Sequence, residues 1–402
     1  VTDDDETTTV SVAEGQVGET PLMSGLYLHI PFCSVKCHFC DFTAFSGQSR
    51  SVTRYLAALE REASLRRGEL PFNIIPPPMG GGQGMGSPPT LYIGGGTPSE
   101  LDPPDLTRLL SWIDRTWGGS RAFSESTFEA NPESLSEDKL RILKDWGLTR
   151  VSIGLQAAQD RLLRGLGRRH DWEDFLSVYE KARGTIREVN VDLMFGLPGQ
   201  TMEDWQQTLD AMADLQPDHI SLYGLRVEDK TVFSKKGVEA EEDLGADMYQ
   251  LAVNMMKAEG YHHYEISNFA RPGKESRHNL GYWRDESYLG LGCGATSFVD
   301  GERNSNAPTL AAYCEAIEAG RAAIVQSERL EGKARLGESI LLGLRQVDGM
   351  DLTPGMQGVF KNSFEKLRKA GLLELSGSRA KLPSRGLLVA NQVLQDFVAP
   401  FD

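Results

Sequence analysis

The chain has 402 residues, a formal net charge of −15 and a sequence pI near 5.1. A chain of this length can bury a large core and form more than one domain. The acidic balance disfavours nonspecific binding to nucleic acid and to anionic lipid, and no apolar run approaches the roughly 20 residues that span a bilayer. With no signal-peptide pattern and five cysteines, three of them clustered, we expect a cytoplasmic protein in a reducing compartment.

Two segments are expected to be flexible. The first twenty residues contain six carboxylates and neither Lys nor Arg, so residues 1–23 are predicted to form a disordered acidic tail. Residues 68–89 are rich in Pro and Gly and are predicted to be a flexible insertion.

Strand-like and helical patterns alternate over the next 200 residues, which predicts parallel βα units. The predicted strands are Leu26–Ile30, Thr90–Ile93, Thr127–Ala130, Arg150–Ile153, Asn190–Met194 and His219–Tyr223. The predicted helices are Arg54–Arg67, Pro104–Trp117, Ser136–Trp146, Trp172–Arg183 and Glu203–Leu215. Six repeats over residues 24–230 indicate an α/β fold with an incomplete parallel (β/α)6 barrel like a TIM barrel. A flat, doubly wound sheet is the alternative.

The pattern changes after residue 230. Residues 231–329 are predicted to be an extension of the barrel that begins with the helix Asp243–Glu259. Residues 330–402 are predicted to be a C-terminal, winged-helix-like domain, with helices Lys333–Arg345 and Val359–Lys369, a hairpin in Leu372–Leu382 and a helix Arg385–Phe397. Because the net charge disfavours DNA binding, we expect this domain to cap the barrel or to bind a partner.

Three cysteines follow the first predicted strand with the spacing C-x3-C-x2-C: Cys33, Cys37 and Cys40. Soft thiolates select zinc, copper(I) or iron–sulfur clusters. A structural zinc site requires four ligands, and His38 lies too close in the same loop to complete a tetrahedron without strain. Three thiols indicate a cluster with one iron left open for a small molecule. The two remaining cysteines, Cys293 and Cys314, are predicted to be free and buried.

Polar or glycine-rich elements follow all six predicted strands. In parallel barrels, catalytic groups gather at the C-terminal ends of the strands. After the cysteines come Gly94-Gly-Gly-Thr97, Glu129, Gln156, Asp192 and the pair Tyr223 and Arg226. Glycines let a backbone approach a ligand, and buried polar side chains can bind ribose hydroxyls or an ammonium group. Each could instead be a turn, a helix cap or a solvated side chain, and their joint placement favours a binding site.

These motifs resemble those of the radical S-adenosylmethionine (SAM) superfamily. The segments from Arg150 to Gln156, from Leu166 to His170 and from Asp192 to Thr201 resemble relatives of the oxygen-independent coproporphyrinogen III oxidase. Within that group, Arg277-His-Asn-Leu-Gly-Tyr-Trp283 matches the H-N-x-x-Y-W heme motif of the HemW family of heme chaperones. Phe42 stands where the oxidase has a further cysteine, and Cys293 stands where the family often has proline.

The resemblance implies roles for particular residues. The three cysteines would bind three irons of a 4Fe–4S cluster, and the amino and carboxylate groups of SAM would bind the fourth. The positions that match SAM contacts are Tyr27, Phe39, Gly95, Gly96, Thr97, Glu129, Gln156, Arg168, Asp192 and Arg226. The positions that match the heme motif are His278, Asn279, Tyr282 and Trp283. His278 would be the heme ligand, or else a core histidine, in which case the ligand would be sought among His29, His38, His262, His263 and Cys293.

Three functions remain open at this point. The first is a heme carrier that transfers heme to acceptors such as respiratory enzymes and that could form a homodimer. The second is oxidation of coproporphyrinogen III by radical decarboxylation, and the third is a related radical SAM methyltransferase. Phe42 and the intact heme motif favour the carrier, whereas the intact cluster motif leaves cleavage of SAM open.

Overall fold

The computed structural model describes residues 23–66 and 88–398. The predicted acidic tail and the Pro/Gly insertion therefore lie almost wholly outside the described residues. Within these two ranges, no helix is both long and apolar enough to cross a bilayer.

The strands of the described residues are β1 (Gly25–Ile30), β2 (Phe32–Cys33), β3 (Phe45–Ser46), β4 (Thr90–Gly95), β5 (Glu125–Ala130), β6 (Arg150–Gln156), β7 (Glu188–Phe195), β8 (His219–Gly224), β9 (His262–Glu265), β10 (Asn268–Ala270), β11 (Tyr288–Leu291), β12 (Thr296–Val299), β13 (Glu302–Asn306), β14 (Ile324–Arg329), β15 (Met350–Asp351), β16 (Glu374–Ser376) and β17 (Arg379–Lys381).

The α-helices are α1 (Val52–Leu65), α2 (Pro103–Trp117), α3 (Glu137–Trp146), α4 (Asp160–Gly165), α5 (Trp172–Arg183), α6 (Met202–Leu215), α7 (Val232–Lys235), α8 (Glu242–Ala258), α9 (Arg277–Trp283), α10 (Leu310–Glu318), α11 (Gly332–Gly343), α12 (Pro354–Val359), α13 (Lys361–Lys369), α14 (Ser384–Leu388) and α15 (Ala390–Gln395).

The predicted parallel barrel is confirmed. Strands β1, β4, β5, β6, β7 and β8 pair in that order, all parallel. A seventh parallel strand, β11, pairs with the free edge of β1, which the sequence analysis did not predict. Antiparallel strands extend both edges, so the sheet ends at β14 on one side and β9 on the other. The barrel is therefore incomplete.

The helices follow from local sequence signals and cover the sheet. In α2, Asp102 accepts a hydrogen bond from the backbone N–H of Asp105, Pro103 occupies the first turn, and Gly118 ends the helix with φ of 86°. The apolar faces of such helices pack on strands that are buried on both sides, as parallel sheets require. Tyr55 and Trp205 are completely buried in this core.

A buried carboxylate joins the barrel to its extension. Glu62, on α1, accepts hydrogen bonds from the Tyr313 hydroxyl at 2.6 Å, from Asn306 Nδ2 at 2.6 Å and from the backbone N–H of Gly292 at 2.8 Å. Arg66, one turn later, donates to the Gly290 carbonyl at 3.2 Å. These bonds attach α1 to β11, β13 and α10.

The C-terminal residues form a second core. Its helices pack around Phe360, Phe364 and Phe397, and β15, β17 and β16 form a small antiparallel sheet. The predicted hairpin is present. The predicted helices Lys333–Arg345 and Val359–Lys369 correspond to α11 and α13, and the predicted helix Arg385–Phe397 is divided into α14 and α15. Helix α12 and strand β15 were not predicted. The backbone N–H of Ile266 donates to the Arg345 carbonyl at 3.1 Å, which connects this part to the extension.

Candidate functional site

The three cysteines lie in one loop at the C-terminal end of β1. The short strands β2 and β3 pair with each other and hold the ends of this loop together. Cys33 Sγ lies 3.4 Å from Thr97 Oγ1. Arg168 Nη1 donates to Cys37 Sγ at 3.6 Å, and the Cys40 N–H donates to the Cys37 carbonyl at 3.2 Å. Thus the loop packs against the glycine-rich turn after β4 and the cationic side chain of Arg168.

The donor set fits an iron–sulfur cluster. Burial and the two neighbouring thiols raise the pKa of Cys33 to about 11, so the Cys33 thiol would give up its proton on binding metal. In the described part of the chain, no three His, Cys, Asp or Glu side chains converge on a single ion. Three thiols that each bind a different iron need not converge on one point, unlike the ligands of tetrahedral zinc.

His38 does not complete a zinc site in this structure. Its Nδ1 bonds to the Gly165 carbonyl at 2.8 Å, and its backbone N–H donates to the Leu166 carbonyl at 3.0 Å. The ring therefore fastens the cysteine loop to the turn after α4.

The glycine-rich turn requires glycine for steric reasons. Gly95 has φ of 118°, and a Cβ there would lie 2.7 Å from the His29 ring. A Cβ on Gly96 would lie 2.8 Å from the Phe32 carbonyl oxygen. The turn therefore passes close to the cysteine loop, with Thr97 at their contact.

Two half-buried carboxylates face the same end of the barrel. Glu129 accepts hydrogen bonds from the Tyr92 hydroxyl at 2.7 Å and from the Gly95 N–H at 3.0 Å. Burial raises the pKa of Glu129 to about 7, and the charge of Asp192 adds to this. Burial also raises the pKa of Asp192, which Ser152 contacts at 2.9 Å. A cationic ligand group bound here would relieve the cost of two buried negative charges.

Arg168 occupies the gap between this pair and the cysteines. Its Nη2 donates to Asn131 Oδ1 at 2.7 Å and to the Gly154 carbonyl at 2.8 Å. Its Nε is buried and has no hydrogen-bond partner among the described residues, so one donor remains for a ligand carboxylate. Nearby, Gln156 adopts φ of 76°, which is uncommon for a residue other than glycine and is often found at functional sites.

The other predicted SAM contacts differ in how close they lie to Arg168, Glu129 and the cysteine loop. The Tyr27 hydroxyl bonds to His29 Nδ1 at 2.9 Å, beside the glycine-rich turn. Phe39 packs against an apolar cluster that includes Leu163. Arg226 is not brought into the network, because its side chain is 81% exposed and pairs with Glu228 at 2.9 Å.

The heme motif lies at the opposite end of the barrel, on α9. His278 Nδ1 is 2.7 Å from the hydroxyl of Thr90, the first residue of β4. The His278 backbone N–H donates to Glu125, the first residue of β5, at 3.1 Å. The cysteine loop instead follows the last residue of β1. A six-residue strand spans about 20 Å, so this length separates the two sites.

The hydrogen bonds of His278 assign its tautomer. The Thr90 hydroxyl donates to the Ser24 carbonyl at 3.1 Å, so it accepts from His278 Nδ1–H. His278 Nε2 is then unprotonated and accepts from the Tyr282 hydroxyl at 2.8 Å. Burial lowers the pKa of His278 to about 3, so the ring is neutral. Nε2 therefore carries a lone pair, which Tyr282 covers.

Tyr282 and Trp283 line open space on the outer side of α9. A pocket of about 200 Å³ contacts both residues and Phe298. A second pocket of about 490 Å³ adjoins Trp283 and Met350 on the side of the C-terminal core. Trp283 Nε1 is buried and has no hydrogen-bond partner among the described residues. Asn279, whose N–H donates to Ser276 Oγ at 3.3 Å, belongs to the first turn of α9.

Sequence reasoning missed two residues of these sites. Tyr92 bonds to Glu129 and also packs on the His278 ring, with ring centroids 5.1 Å apart. Its position two residues before the glycine run, on the same face of β4 as Gly94, could have indicated it. Asn131, which orients Arg168, stands next to the predicted strand that carries Glu129.

This fold and site define a class of protein. The profile of the radical SAM superfamily matches residues 80–212. The structure of coproporphyrinogen III oxidase (HemN) from Escherichia coli, described as a radical SAM enzyme, matches with a TM-score of 0.79 at 22% identity. The match covers 95% of this chain and 91% of that one. The molecule therefore has the radical SAM fold.

Sequence comparison gives the family. The chain is 36% identical over 389 residues to the heme chaperone HemW of Bacillus subtilis, covering 94% of this chain and 99% of that protein. It is 35% identical over 286 residues to HemW of Escherichia coli, covering 69% and 71%. It is 30% identical over 415 residues to radical S-adenosyl methionine domain-containing protein 1, mitochondrial, of Danio rerio, covering 97% and 89%. The chain belongs to the HemW family of radical SAM proteins.

Proposed function

We propose that the protein is a heme chaperone that holds a 4Fe–4S cluster on Cys33, Cys37 and Cys40, binds SAM beside it, and transfers heme to a heme-requiring acceptor. The observation that carries this proposal is the identity to HemW proteins over almost the whole chain, with the heme motif retained on α9.

The geometry of the barrel supports the SAM site. Glu129 and Asp192 would receive the ammonium group and the ribose hydroxyls of SAM, and the free Nε–H of Arg168 would receive its carboxylate. The cluster, when bound, supplies the capacity to bind and reductively cleave SAM. The chain's own residues orient SAM and exclude water from it.

The tautomer of His278 supports a role as the heme ligand. A histidine that ligates metal commonly donates its other ring N–H to a neighbouring group, as Nδ1 does to Thr90 here. Neutral imidazole is a common axial ligand of heme iron. Iron would reach Nε2 once the Tyr282 hydroxyl moves aside, and Tyr282 itself lines the 200 Å³ pocket. We infer that Tyr282 covers the ligand nitrogen in the heme-free protein.

The test is a heme titration of the parent, Tyr282→Phe and His278→Ala, followed by the Soret band. Tyr282→Phe keeps the ring but removes the competing hydroxyl, worth about 0.5–1.5 kcal/mol, so it should tighten binding by about two- to twelvefold. The parent should shift the Soret band of heme on binding it, and His278→Ala should not produce this shift. Trp146→Ala, which truncates a half-buried aromatic side chain on α3, is a control for general loosening of the fold.

Two outcomes would contradict this account. Unchanged affinity in Tyr282→Phe, together with an unchanged spectrum in a folded His278→Ala protein, would make His278 a core residue. SAM-dependent decarboxylation of coproporphyrinogen III by the reconstituted protein would favour the oxidase. Phe42 opposes that second result, because it is 65% exposed on the cysteine loop where the oxidase has a cysteine.

A further inference from the structure

Two pockets meet at the C-terminal end of α9, where the heme motif ends. The smaller, of about 200 Å³, contacts Tyr282, and the larger, of about 490 Å³, contacts Met350 of the C-terminal core. Trp283 and Asp285 line both pockets. Pockets that bind small molecules and cofactors commonly measure about 300–1,000 Å³. The pocket beside Tyr282 is therefore too small for heme by itself, whereas the two pockets together fall within this range.

One face of helix α11 lies along both pockets. Leu342 lines the smaller pocket, and Ser339 and Gly343 line the larger one. Their spacing of three and four residues places the three on the same face of the helix. The two pockets therefore lie side by side between the end of α9 and α11, which belongs to the C-terminal core.

A polar contact separates the two pockets. Asp285 accepts a hydrogen bond from Ser339 Oγ at 2.7 Å and pairs with Arg335 at 2.5 Å. Ser339 lines the larger pocket, and Arg335 Cζ lies 5.1 Å from the centre of the Phe298 ring, which lines the smaller one. The contact of Asp285 with Arg335 and Ser339 thus lies between the pockets, and we call it the latch.

Asp285 makes the latch from an unfavourable local position. It follows α9 with φ of 60°, a left-handed conformation that glycine adopts without strain and aspartate less readily. A carboxylate just beyond the C-terminal end of a helix is also disfavoured by the helix dipole. Neither feature helps α9 to end, so the contact with α11 is what this side chain contributes. The Arg335 side chain is 28% exposed, so water can replace the contact when the latch opens.

The lining of the two pockets matches the chemistry of heme. Tyr288, Phe298 and Leu342 offer apolar surface to the macrocycle. Arg284 lines the larger pocket, is exposed and has no carboxylate partner in the part of the chain that the structure describes. Trp283 Nε1 is a buried donor that lacks a hydrogen-bond partner among the same residues. Each of these two donors suits a heme propionate.

We propose that heme lies in a single cleft that forms when the two pockets join, and that the latch closes this cleft in the heme-free protein. The inference rests on the proposed binding of heme at His278 and adds the C-terminal core as the second wall of the site. Heme enters when the contacts of Asp285 with α11 break, and a propionate then pairs with Arg284. Iron coordinates His278 Nε2, and no electron is transferred. Ligands bind preferentially at such interfaces between structural units.

The latch is tested by stopped-flow mixing of ferric heme with the parent, Ser339→Ala and Asp285→Asn. Both variants weaken the contact that must break, so heme should associate about two- to tenfold faster with them than with the parent. Ser363→Ala is the control, because it removes a hydrogen bond of 3.4 Å to the Asp396 carbonyl in the same C-terminal core. Its association rate should equal that of the parent.

The propionate contact is tested with heme and with heme dimethyl ester, in which both propionates are esterified. Arg284→Gln should weaken heme binding by about three- to tenfold and leave the affinity for the ester unchanged. Arg164→Gln removes another exposed arginine, on α4 at the cysteine end of the barrel, and should bind both compounds as the parent does.

The ester also separates two effects of Asp285→Asn. With heme, this variant would also remove repulsion between the Asp285 carboxylate and the propionates. With the ester that repulsion is absent, so faster association of the ester reports opening of the cleft alone.

Either of two results would overturn the proposal. One is association of heme and of its ester with Ser339→Ala and Asp285→Asn at the rate of the parent. The other is an Arg284→Gln protein that binds heme as tightly as the parent does. In both cases a parent that binds heme through His278 would leave the proposed function standing. Failure of the parent to bind heme would instead contradict the proposed function and the cleft with it.

Discussion

At the scale of single residues, two carboxyl groups, Glu129 and Asp192, lie at the end of the barrel where a cationic ligand is expected to bind. Glu129 is the clearest case, because burial and Asp192 raise its pKa to about 7 while Tyr92 and Gly95 donate to its two oxygens. Such a carboxyl costs stability when it ionises without a ligand, and it gains stability when a cation binds.

This predicts a specific pH dependence for the ligand-free protein. Between its ordinary pKa of 4.5 and about 7, folded Glu129 holds a proton that the unfolded chain releases. Glu129 therefore costs the fold free energy as the pH rises through this range. Between pH 5 and pH 8, the free energy of unfolding of the parent should fall by up to about 3 kcal/mol relative to Glu129→Gln. The free energy of unfolding of both proteins is measured by denaturant unfolding at each pH. If it changed with pH in the same way in both proteins, the raised pKa would not belong to Glu129.

At the scale of elements, one buried cluster attaches helix α1 to the extension. Glu62 accepts hydrogen bonds from Tyr313, Asn306 and Gly292, which belong to α10, β13 and the turn after β11. Because β11 is also the strand that pairs with β1, this cluster fixes the register of the seventh parallel strand.

Glu62→Ala should therefore be severely destabilising. It removes the carboxylate that lies 3.9 Å from the buried Arg66 guanidinium and leaves three buried hydrogen-bond donors without their acceptor, which should lower the free energy of unfolding by about 3–5 kcal/mol. Glu60→Ala, on the same helix, removes a part-exposed pair with Arg108 and should cost about 0–1 kcal/mol. Urea unfolding of both variants measures this contrast, and similar losses would show that Glu62 has no such role.

The elements also show what sequence can predict here. All six predicted barrel strands are present, because their apolar runs and the intervening amphipathic helices carry strong periodic signals. Strand β11 was missed because it spans four residues and pairs with β1, more than 250 residues earlier. Local patterns contain no information on such a pairing. Similarly, short helices such as α4 and α7 show too few turns for a periodic signal.

Part of the candidate site could also be predicted from the sequence. The cysteines, glycines and strand-end carboxylates could be placed together because parallel strands bring their C-terminal ends to one face. The direction of His278 could not be predicted, since it depends on which side of a seven-residue helix packs on Thr90 and Glu125. Nor could the isolation of Arg226, which depends on its pairing with Glu228.

At the scale of the whole molecule, the barrel separates two sites. The cysteines lie beyond the ends of the strands, and His278 lies at their beginnings, about 20 Å away along a strand. Heme at His278 would thus be remote from the cluster, whereas Tyr92 packs on the His278 ring and donates to Glu129 of the proposed SAM site. This arrangement fits heme as cargo, since a radical substrate must lie next to the reacting atoms.

Because His278 lies far from the three cysteines, we expect heme to bind whether or not the cluster is present. The triple variant Cys33→Ala/Cys37→Ala/Cys40→Ala should lose iron and sulfide, yet bind heme with an affinity within about threefold of the parent, because the three cysteines lie far from the heme motif. Iron analysis of the preparation checks the loss of the cluster, and a heme titration of the same preparation checks the retained heme affinity. Loss of heme binding in the folded triple variant would show that the heme site depends on the cluster site.

The most direct test of the account is transfer of heme itself. Heme-loaded, reconstituted protein is mixed with a heme-free respiratory enzyme, and the acceptor's own Soret band is followed over time. We expect the acceptor to fill faster than heme dissociates from the chain into an inert scavenger, with a rate that rises with acceptor concentration. Filling no faster than that dissociation, at every acceptor concentration, would contradict the assignment of this protein as a heme chaperone.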